Sequence, residues 1–249
     1  MTSPSPIAVV VGAGGGVGGA LMGRLMDAGR YAAVVGVARR RPDDWPDDWP
    51  DRREAVFVQA DVTQEGEVAL LAEAVRDLGR PTRVIVATGL LHAEGVTPEK
   101  SMRAIDAEAM QRLFAVNAIA PALIAKHLLP LAPRDAPSLF AALSARVGSI
   151  SDNRLGGWYG YRASKAALNQ LIRTLAIEQR RTHPQAICVA LHPGTVQTRL
   201  SAPFGQGAVA TARRLTPDQS AQALLDVMDG LTPADTGGFF AWDGQPIGW

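Results

Sequence analysis

The sequence predicts a doubly wound α/β fold, a single parallel sheet with helices on both faces. Short β-branched apolar runs alternate along the chain with segments whose apolar residues recur at helical spacing. The first apolar run passes into a glycine-rich turn that opens a helix. Strands separated by helices of ten or more residues imply right-handed crossovers, hence a parallel sheet covered on both sides. The expected strand order is 3-2-1-4-5-6-7, with ligands bound beyond the carboxyl ends of the strands.

The elements follow in chain order. Ile7–Val11 (IAVVV) is a continuous β-branched run and reads as a strand buried on both faces. Val17, Leu21 and Leu25 repeat at i, i+4 and i+8, and Gly29 closes that helix. Val34–Ala38 and Ala55–Ala60 give the second and third strands. Val68, Leu71, Val75 and Leu78 mark a helix after Asp61-Val62-Thr63, and Arg83–Ala87 is the fourth strand. A long helix is expected from about Ala107 to Leu128, then a fifth strand at Leu139–Leu143. Leu168, Leu171, Ile172 and Leu175 form one stripe of a helix over roughly Trp158–Gln179. Ile187–Leu191, Pro217–Leu231 and Phe239–Ala241 supply the sixth strand, the last helix and a short seventh strand. No linker divides the chain, so residues 1–249 read as one domain, with 1–6 as a disordered lead-in. The tandem Asp43-Asp44-Trp45-Pro46 and Asp47-Asp48-Trp49-Pro50 reads as a duplicated solvent loop, with a docking loop as the alternative.

Composition excludes several classes of function. Hydrophobic residues make up 47% of the 249, enough for a large core and too many for a disordered chain. The formal charge of +1 provides no field for nucleic acid or a membrane surface, and neither partner is expected. One cysteine, Cys188, cannot make a disulfide framework, and the four histidines never fall at metal-binding spacing, so no metal is expected. No apolar run approaches the roughly 18 residues of a membrane span, and MTSPSP has no signal-peptide character. A cytoplasmic location is the resulting expectation.

Two motifs carry chemistry. Gly12-Ala13-Gly14-Gly15-Gly16-Val17-Gly18-Gly19 lies between strand and helix, where backbone amides can approach a pyrophosphate at the positive end of the helix. Its glycines fit three frames: Gly14, Gly16 and Gly19 as GxGxxG; Gly12, Gly14 and Gly16 as the GxGxG of methyltransferases that use S-adenosylmethionine; and Gly12, Gly16 and Gly18 as GxxxGxG. The second motif is Tyr161-Arg162-Ala163-Ser164-Lys165 near the start of a helix. Positions i and i+4 share a helical face, so phenol and ammonium point into one space, and a fixed cation favours the phenolate. Such a Tyr can exchange a proton with a carbonyl or alkoxide oxygen. With only three tyrosines and three lysines in the chain, chance pairing explains this poorly.

Together these motifs resemble the short-chain dehydrogenase/reductase family, over essentially the whole chain and most closely its C-factor and sniffer branch, which implies a Rossmann-type fold. Gly12, Gly16 and Gly18 stand at the family's cofactor turn, with Gly14, Gly15 and Val17 among them. Asp61, followed by Val62, stands where an acidic residue contacts the adenine. Asn117 matches the helix asparagine that holds a water linking the lysine to solvent. Tyr161 and Lys165 match YxxxK, and the lysine also binds the nicotinamide ribose. His192-Pro193-Gly194-Thr195-Val196-Gln197-Thr198 is similar to the segment that meets the nicotinamide carboxamide, through Pro193, Gly194, Val196 and Thr198.

Two departures stand out. The family's NNAG reads Val86-Ala87-Thr88-Gly89, which keeps Ala87, Thr88 and Gly89 beside the cofactor but lacks both asparagines. Aligned on Gly148, the catalytic serine falls at Ala145, so Ser144 takes that role, with Ser149 as the alternative. His92 and His192 lie at strand ends near the site and read as hydrogen-bonded loop residues, with substrate contact as the alternative. Trp158 and Tyr159 either wall the pocket or pack.

The resemblance implies hydride transfer between a nicotinamide and a carbonyl or secondary alcohol, by Tyr161, Lys165, Ser144 and Asn117. NADP(H) is expected in preference to NAD(H). Strand two ends at Ala38 rather than at a carboxylate, and Arg39, directly after it, can grip a 2′-phosphate while Arg40 stacks on the adenine. A homodimer or homotetramer is the expected assembly. The rivals are a non-catalytic nucleotide-binding regulator and a methyltransferase using S-adenosylmethionine. The methyltransferase reading leaves Tyr161 and Lys165 unexplained.

Overall fold

The first strand, β1 (Pro6–Val11), is buried along Ile7–Val11, as its unbroken β-branched sequence requires of a central strand. The structure, a computed structural model, describes residues 5–42, 45, 55–204 and 214–249. Around β1 lie β2 (Ala33–Ala38), β3 (Ala55–Gln59), β4 (Arg80–Val86), β5 (Ser138–Leu143), β6 (Ala186–His192) and β9 (Phe239–Ala241). They form a seven-stranded sheet in the order β3-β2-β1-β4-β5-β6-β9, parallel throughout. The expected order is therefore observed, with Phe239–Ala241 as the far edge. A separate ribbon pairs β7 (Thr195–Val196) with β8 (Arg214–Leu215).

Helices cover both faces. α1 (Gly16–Asp27) and α6 (Pro217–Gly230) pack on one side, where Leu21, Met22, Leu224 and Met228 meet Val10, Ile85 and Val189. α2 (Glu65–Leu78), α4 (Ala120–Leu128) and α5 (Tyr159–Gln179) cover the other, with Val68, Ile124 and Ile172 against Val9, Val84 and Phe140. The switch in strand order lies between β1 and β4, and the glycine turn stands above it.

Three elements differ from the sequence expectation. β4 begins at Arg80, three residues early, because a register shift between Ile7 and Ala8 of β1 accommodates Pro81. The helix expected over Ala107–Leu128 is α3 (Ala107–Phe114), a π-helical turn (Ala115–Ile119) and then α4. Pro121 has no N–H for the carbonyl four residues back, that of Asn117, so an unbroken α-helix is unavailable. This stretch is apolar and long enough to cross a membrane, but half of it is buried inside the protein against the sheet and its neighbouring helices. Finally, Trp45 of the DDWP tandem is only 7% exposed and belongs to the core on the α1 side, which corrects the solvent-loop reading at that residue. Asp43, Asp44 and Pro46–Pro50 lie outside the described residues, as do residues 1–4 of the expected disordered lead-in; Pro6 of that lead-in opens β1.

Candidate active site

The carboxyl ends of β1, β4, β5 and β6 surround a cavity of about 1050 Å3. Cavities that take one drug-sized ligand hold roughly 300–1,000 Å3, so this one can admit a dinucleotide with a small molecule beside it. At one end is the glycine turn. Gly16, Val17 and Gly18 open α1 with N–H groups that have no intrahelical acceptor, and no acidic side chain occupies this first turn. The helix therefore presents unopposed positive character to the cavity. Close packing explains the glycines: a Cβ on Gly18 would sit 2.1 Å from the Gly12 carbonyl oxygen, and one on Gly16 would sit 2.9 Å from Thr198 Cγ2.

Gly14, Gly15, Gly16, Val17, Gly18, Ala87, Thr88, Gly89, Tyr161, Lys165, Pro193, Gly194, Val196 and Thr198 all line the cavity, as does Ser144. Gly12, Arg39, Arg40, Asp61, Val62 and Asn117 do not. Gly12, at φ +92°, lies under the turn, where a Cβ would meet Thr88 N at 2.9 Å. Val62 is a core residue packed with Ala60 and Val68. Asp61 accepts hydrogen bonds from the Thr63 N–H and hydroxyl. Burial pushes its carboxyl up, but those bonds and the nearby Arg39 charge outweigh burial and hold it below the usual range. Arg39 and Arg40 are exposed on the loop that borders Gly14.

At the other end stand Tyr161 and Lys165, both nearly fully buried on the first turns of α5. Lys165 Nζ donates to the Leu143 carbonyl (2.8 Å) at the end of β5 and lies 6.0 Å from the Tyr161 ring centroid. Burial pushes the lysine down to about 7 and raises the phenol above its usual value. Burial thus opposes the lowering of the Tyr161 pKa expected from Lys165. With the ammonium directed at a carbonyl, desolvation dominates both groups.

Asn117 is fully buried in the π-turn. Its Oδ1 accepts from Leu90 N–H, and its Nδ2 donates to the Leu90 carbonyl and Ser164 Oγ. The amide is thus engaged on both sides, and its side chain is not what would hold a water. A Cβ on Gly89 would lie 3.9 Å from both Asn117 Oδ1 and Lys165 Nζ, so the two groups flank that glycine.

Ser144 also departs from expectation. Its hydroxyl donates to Asn169 Oδ1 at 2.6 Å, on the buried side of the wall, while Asn169 Nδ2 faces the Gly148 carbonyl at 3.5 Å. The Ser144 proton therefore points into the protein, and only its lone pairs remain for a ligand. Ser149 is no substitute, since it bonds to Ser151 and Asp152 and does not line the cavity. Ala145 packs with Tyr161, Leu91 and Trp158. Asn169, four residues after Lys165, was legible from helical spacing yet missed.

Trp158 caps α5 in a left-handed conformation (φ 53°) after Gly156 and Gly157, also at positive φ. Its ring meets Tyr161 edge-on at 6.2 Å and walls the cavity. Arg162 latches this turn by donating to the Gly157 and Val147 carbonyls. Tyr159 is 40% exposed and lies outside the wall. Buried Glu99, a second missed residue, accepts from Gly160 N–H at 3.0 Å. His92 bonds to the Arg199 carbonyl, and His192 lines the cavity, neutral because burial lowers it to about 4. Cys188 is a core residue whose thiol burial pushes up to about 12.

The residues present fit a bound dinucleotide. Besides the glycine cradle, Thr88 Oγ1 and His192 Nδ1 are buried at the cavity wall without a partner among the described residues. A doubly wound sheet with a glycine turn at its switch point and a buried Tyr–Lys pair across the cavity defines a nucleotide-dependent oxidoreductase scaffold. The short chain dehydrogenase family model matches residues 6–208, and the chain belongs to that family. The C-signal protein of Myxococcus xanthus is 36% identical over 146 residues, 58% of this chain and 81% of that protein. An NADPH-bound carbonyl reductase from chicken fatty liver superposes over all of both chains with a TM-score of 0.84 at 25% identity. The carbonyl reductase Sniffer of D. melanogaster gives the same TM-score and coverage at 22% identity and so shares the fold. These neighbours are those of the C-factor and sniffer branch.

Proposed function

We propose that this chain is an NADP(H)-dependent carbonyl reductase or alcohol dehydrogenase whose proton donor is Tyr161. The observation that carries the reading is the buried Tyr161–Lys165 pair facing the glycine turn across one cavity. NADP(H), when bound, supplies or accepts the hydride. Gly14, Gly15, Gly16, Val17 and Gly18 would hold its pyrophosphate, and Ala87, Thr88, Gly89, Pro193, Gly194, Val196 and Thr198 its nicotinamide half. Arg39 would take the 2′-phosphate, with Arg40 and Asp61 beside the adenine. The NADPH bound by the chicken reductase supports this choice.

In the reducing direction Tyr161 gives its proton to the carbonyl oxygen. Burial keeps the phenol protonated at neutral pH, which suits a donor. Lys165, poised near pH 7, gains and loses a proton in the working range and can return one toward the phenol. Asn117 serves the same path through its main-chain carbonyl, which Pro121 leaves without an α-helical donor, since its amide is engaged with Leu90 and Ser164. Ser144 shapes the wall beside the reacting oxygen, and its lone pairs, not its proton, face a ligand. Trp158, Leu91 and Val147 make the substrate end apolar. A small carbonyl or alcohol, a homodimer or homotetramer and a cytoplasmic setting complete the reading.

Steady-state turnover of a carbonyl panel with NADPH tests it. Tyr161→Phe is expected to cut kcat on the order of a hundredfold or more while leaving NADPH affinity within about threefold. Retention of most activity would remove Tyr161 from the mechanism. A wild-type protein that binds NADPH and turns over nothing would favour the regulator reading instead.

A further inference from the structure

Gly36, in the middle of β2, faces a side chain from the following loop. A Cβ there would lie 2.6 Å from Trp45 Cη2 and 2.8 Å from Cζ3, so the indole rests directly on the strand backbone. Trp45 is buried, meets Phe57 of β3 edge-on at 5.2 Å, and packs with Ala13, Met22 and Val34. The chain between β2 and this indole is Arg39-Arg40-Arg41-Pro42 and two aspartates. Arg39–Pro42 is held at its beginning by Ala38 in the sheet and at its end by Pro42, whose carbonyl accepts from Trp45 N–H at 3.1 Å. The Arg41 guanidinium lies 6.0 Å from the centre of the indole, within cation–π range. A Cβ on Gly14 would touch Ala38 Cβ at 3.6 Å and Pro42 Cγ at 3.7 Å, so the tied loop abuts the glycine turn. Pro42 and Trp45 themselves form part of the cavity wall.

We propose that Trp45 is the positioning residue that gives this chain its discrimination for a phosphate monoester on the adenosine ribose, by pinning the arginine loop into the notch at Gly36. The proposal rests on the NADP(H) reading and deepens it. A loop of three consecutive arginines repels itself and loses conformational freedom when it closes on an anion. An indole buried at its far end removes most of that freedom before the ligand arrives, so less of the contact energy is consumed in ordering the guanidinium groups. A ligand without the extra phosphate does not engage the arginine side chains and gains little from the tie.

The test is calorimetric binding of 2′,5′-ADP, which carries the 2′-phosphate, and of 5′-AMP, which differs from it only in lacking that phosphate, with no turnover involved. Wild type is expected to bind 2′,5′-ADP at least tenfold tighter. Trp45→Ala should weaken 2′,5′-ADP tenfold or more while changing 5′-AMP by less than about threefold. Trp45→Phe should recover part of the loss. Gly36→Val, which fills the notch and leaves Trp45 in the sequence, should reproduce the loss and guards against a misfolded Trp45→Ala. Equal weakening of both nucleotides, or no weakening in either folded variant, would overturn the proposal and leave the NADP(H) reading intact. A wild type with no preference for the 2′-phosphate would overturn both.

Discussion

Lys165 carries a charge that the ligand-free protein has few means to support. Among the described residues its amine has one acceptor, the Leu143 carbonyl, and burial lowers it to about 7 from its ordinary 10.5. Between those values the unfolded chain holds a proton that the folded chain does not, so stability rises with pH across that window. The rise is fully developed only near pH 10.5, and below about pH 7 the whole cost of burying the ammonium is present. Cys188, raised to about 12, acts oppositely once the unfolded thiol ionises near pH 9. The clean interval is therefore pH 7 to 9, where wild type should gain about 2 kcal/mol in denaturant unfolding. Lys165→Met should flatten that gain, and an equal slope in both proteins would show that the lysine stays charged in the fold. The same argument explains why Tyr161 is a donor at neutral pH, since burial without a bonded cation keeps its proton on.

The element that sets the chemistry is the first turn of α5. Its cap, Trp158, has no side-chain oxygen to accept the orphan N–H groups, and its backbone is left-handed. Glu99, sixty residues earlier, does the capping instead. Its carbonyl accepts from Trp158 N–H at 2.5 Å and its Oε1 accepts from Gly160 N–H. Tyr161 is the next residue, so this remote cap fixes the donor. Glu99→Ala is expected to destabilise the fold by about 1–3 kcal/mol, because it strips a buried N–H of its partner. It should also lower kcat more than it changes KM. Glu99→Gln, which keeps an oxygen for Gly160, should restore most of both. Denaturant unfolding beside steady-state kinetics checks this, and an unaffected kcat in Glu99→Ala would detach the cap from the site. The π-turn around Asn117 works in a comparable way, since the wider turn places one amide between Leu90 and Ser164.

At the scale of the whole molecule, the cavity is bounded by the ends of four strands, the opening of α1, the start of α5 and the ribbon of β7 and β8. A ligand that bridges these parts binds only the folded state. At a hundredfold excess over its Kd it contributes about 2.7 kcal/mol, which for a chain of this size raises Tm by roughly 5–10 °C. NADPH should produce that shift, and NADH at the same concentration a smaller one. Equal shifts in a thermal melt would remove the basis for NADP(H) preference.

The sequence by itself determined the sheet, its order, the glycine turn and the Tyr–Lys face. Those features depend on periodicity and spacing within contiguous residues: the β-branched run of Ile7–Val11, the four-residue step from Tyr161 to Lys165, the small residue ending β2 at Ala38. Tertiary structure alone decided the rest. The DDWP repeat looks solvated because its own residues are acidic, and only the notch at Gly36, nine residues away, buries Trp45. Ser144 looks like a donor at a strand end, and only Asn169, brought alongside by α5, turns its proton inward. Lys165 looks like a cation that acidifies its tyrosine, and only the sum of surrounding apolar groups makes desolvation the larger effect. Each outcome depends on partners far along the chain and on the water they displace, neither of which local pattern encodes.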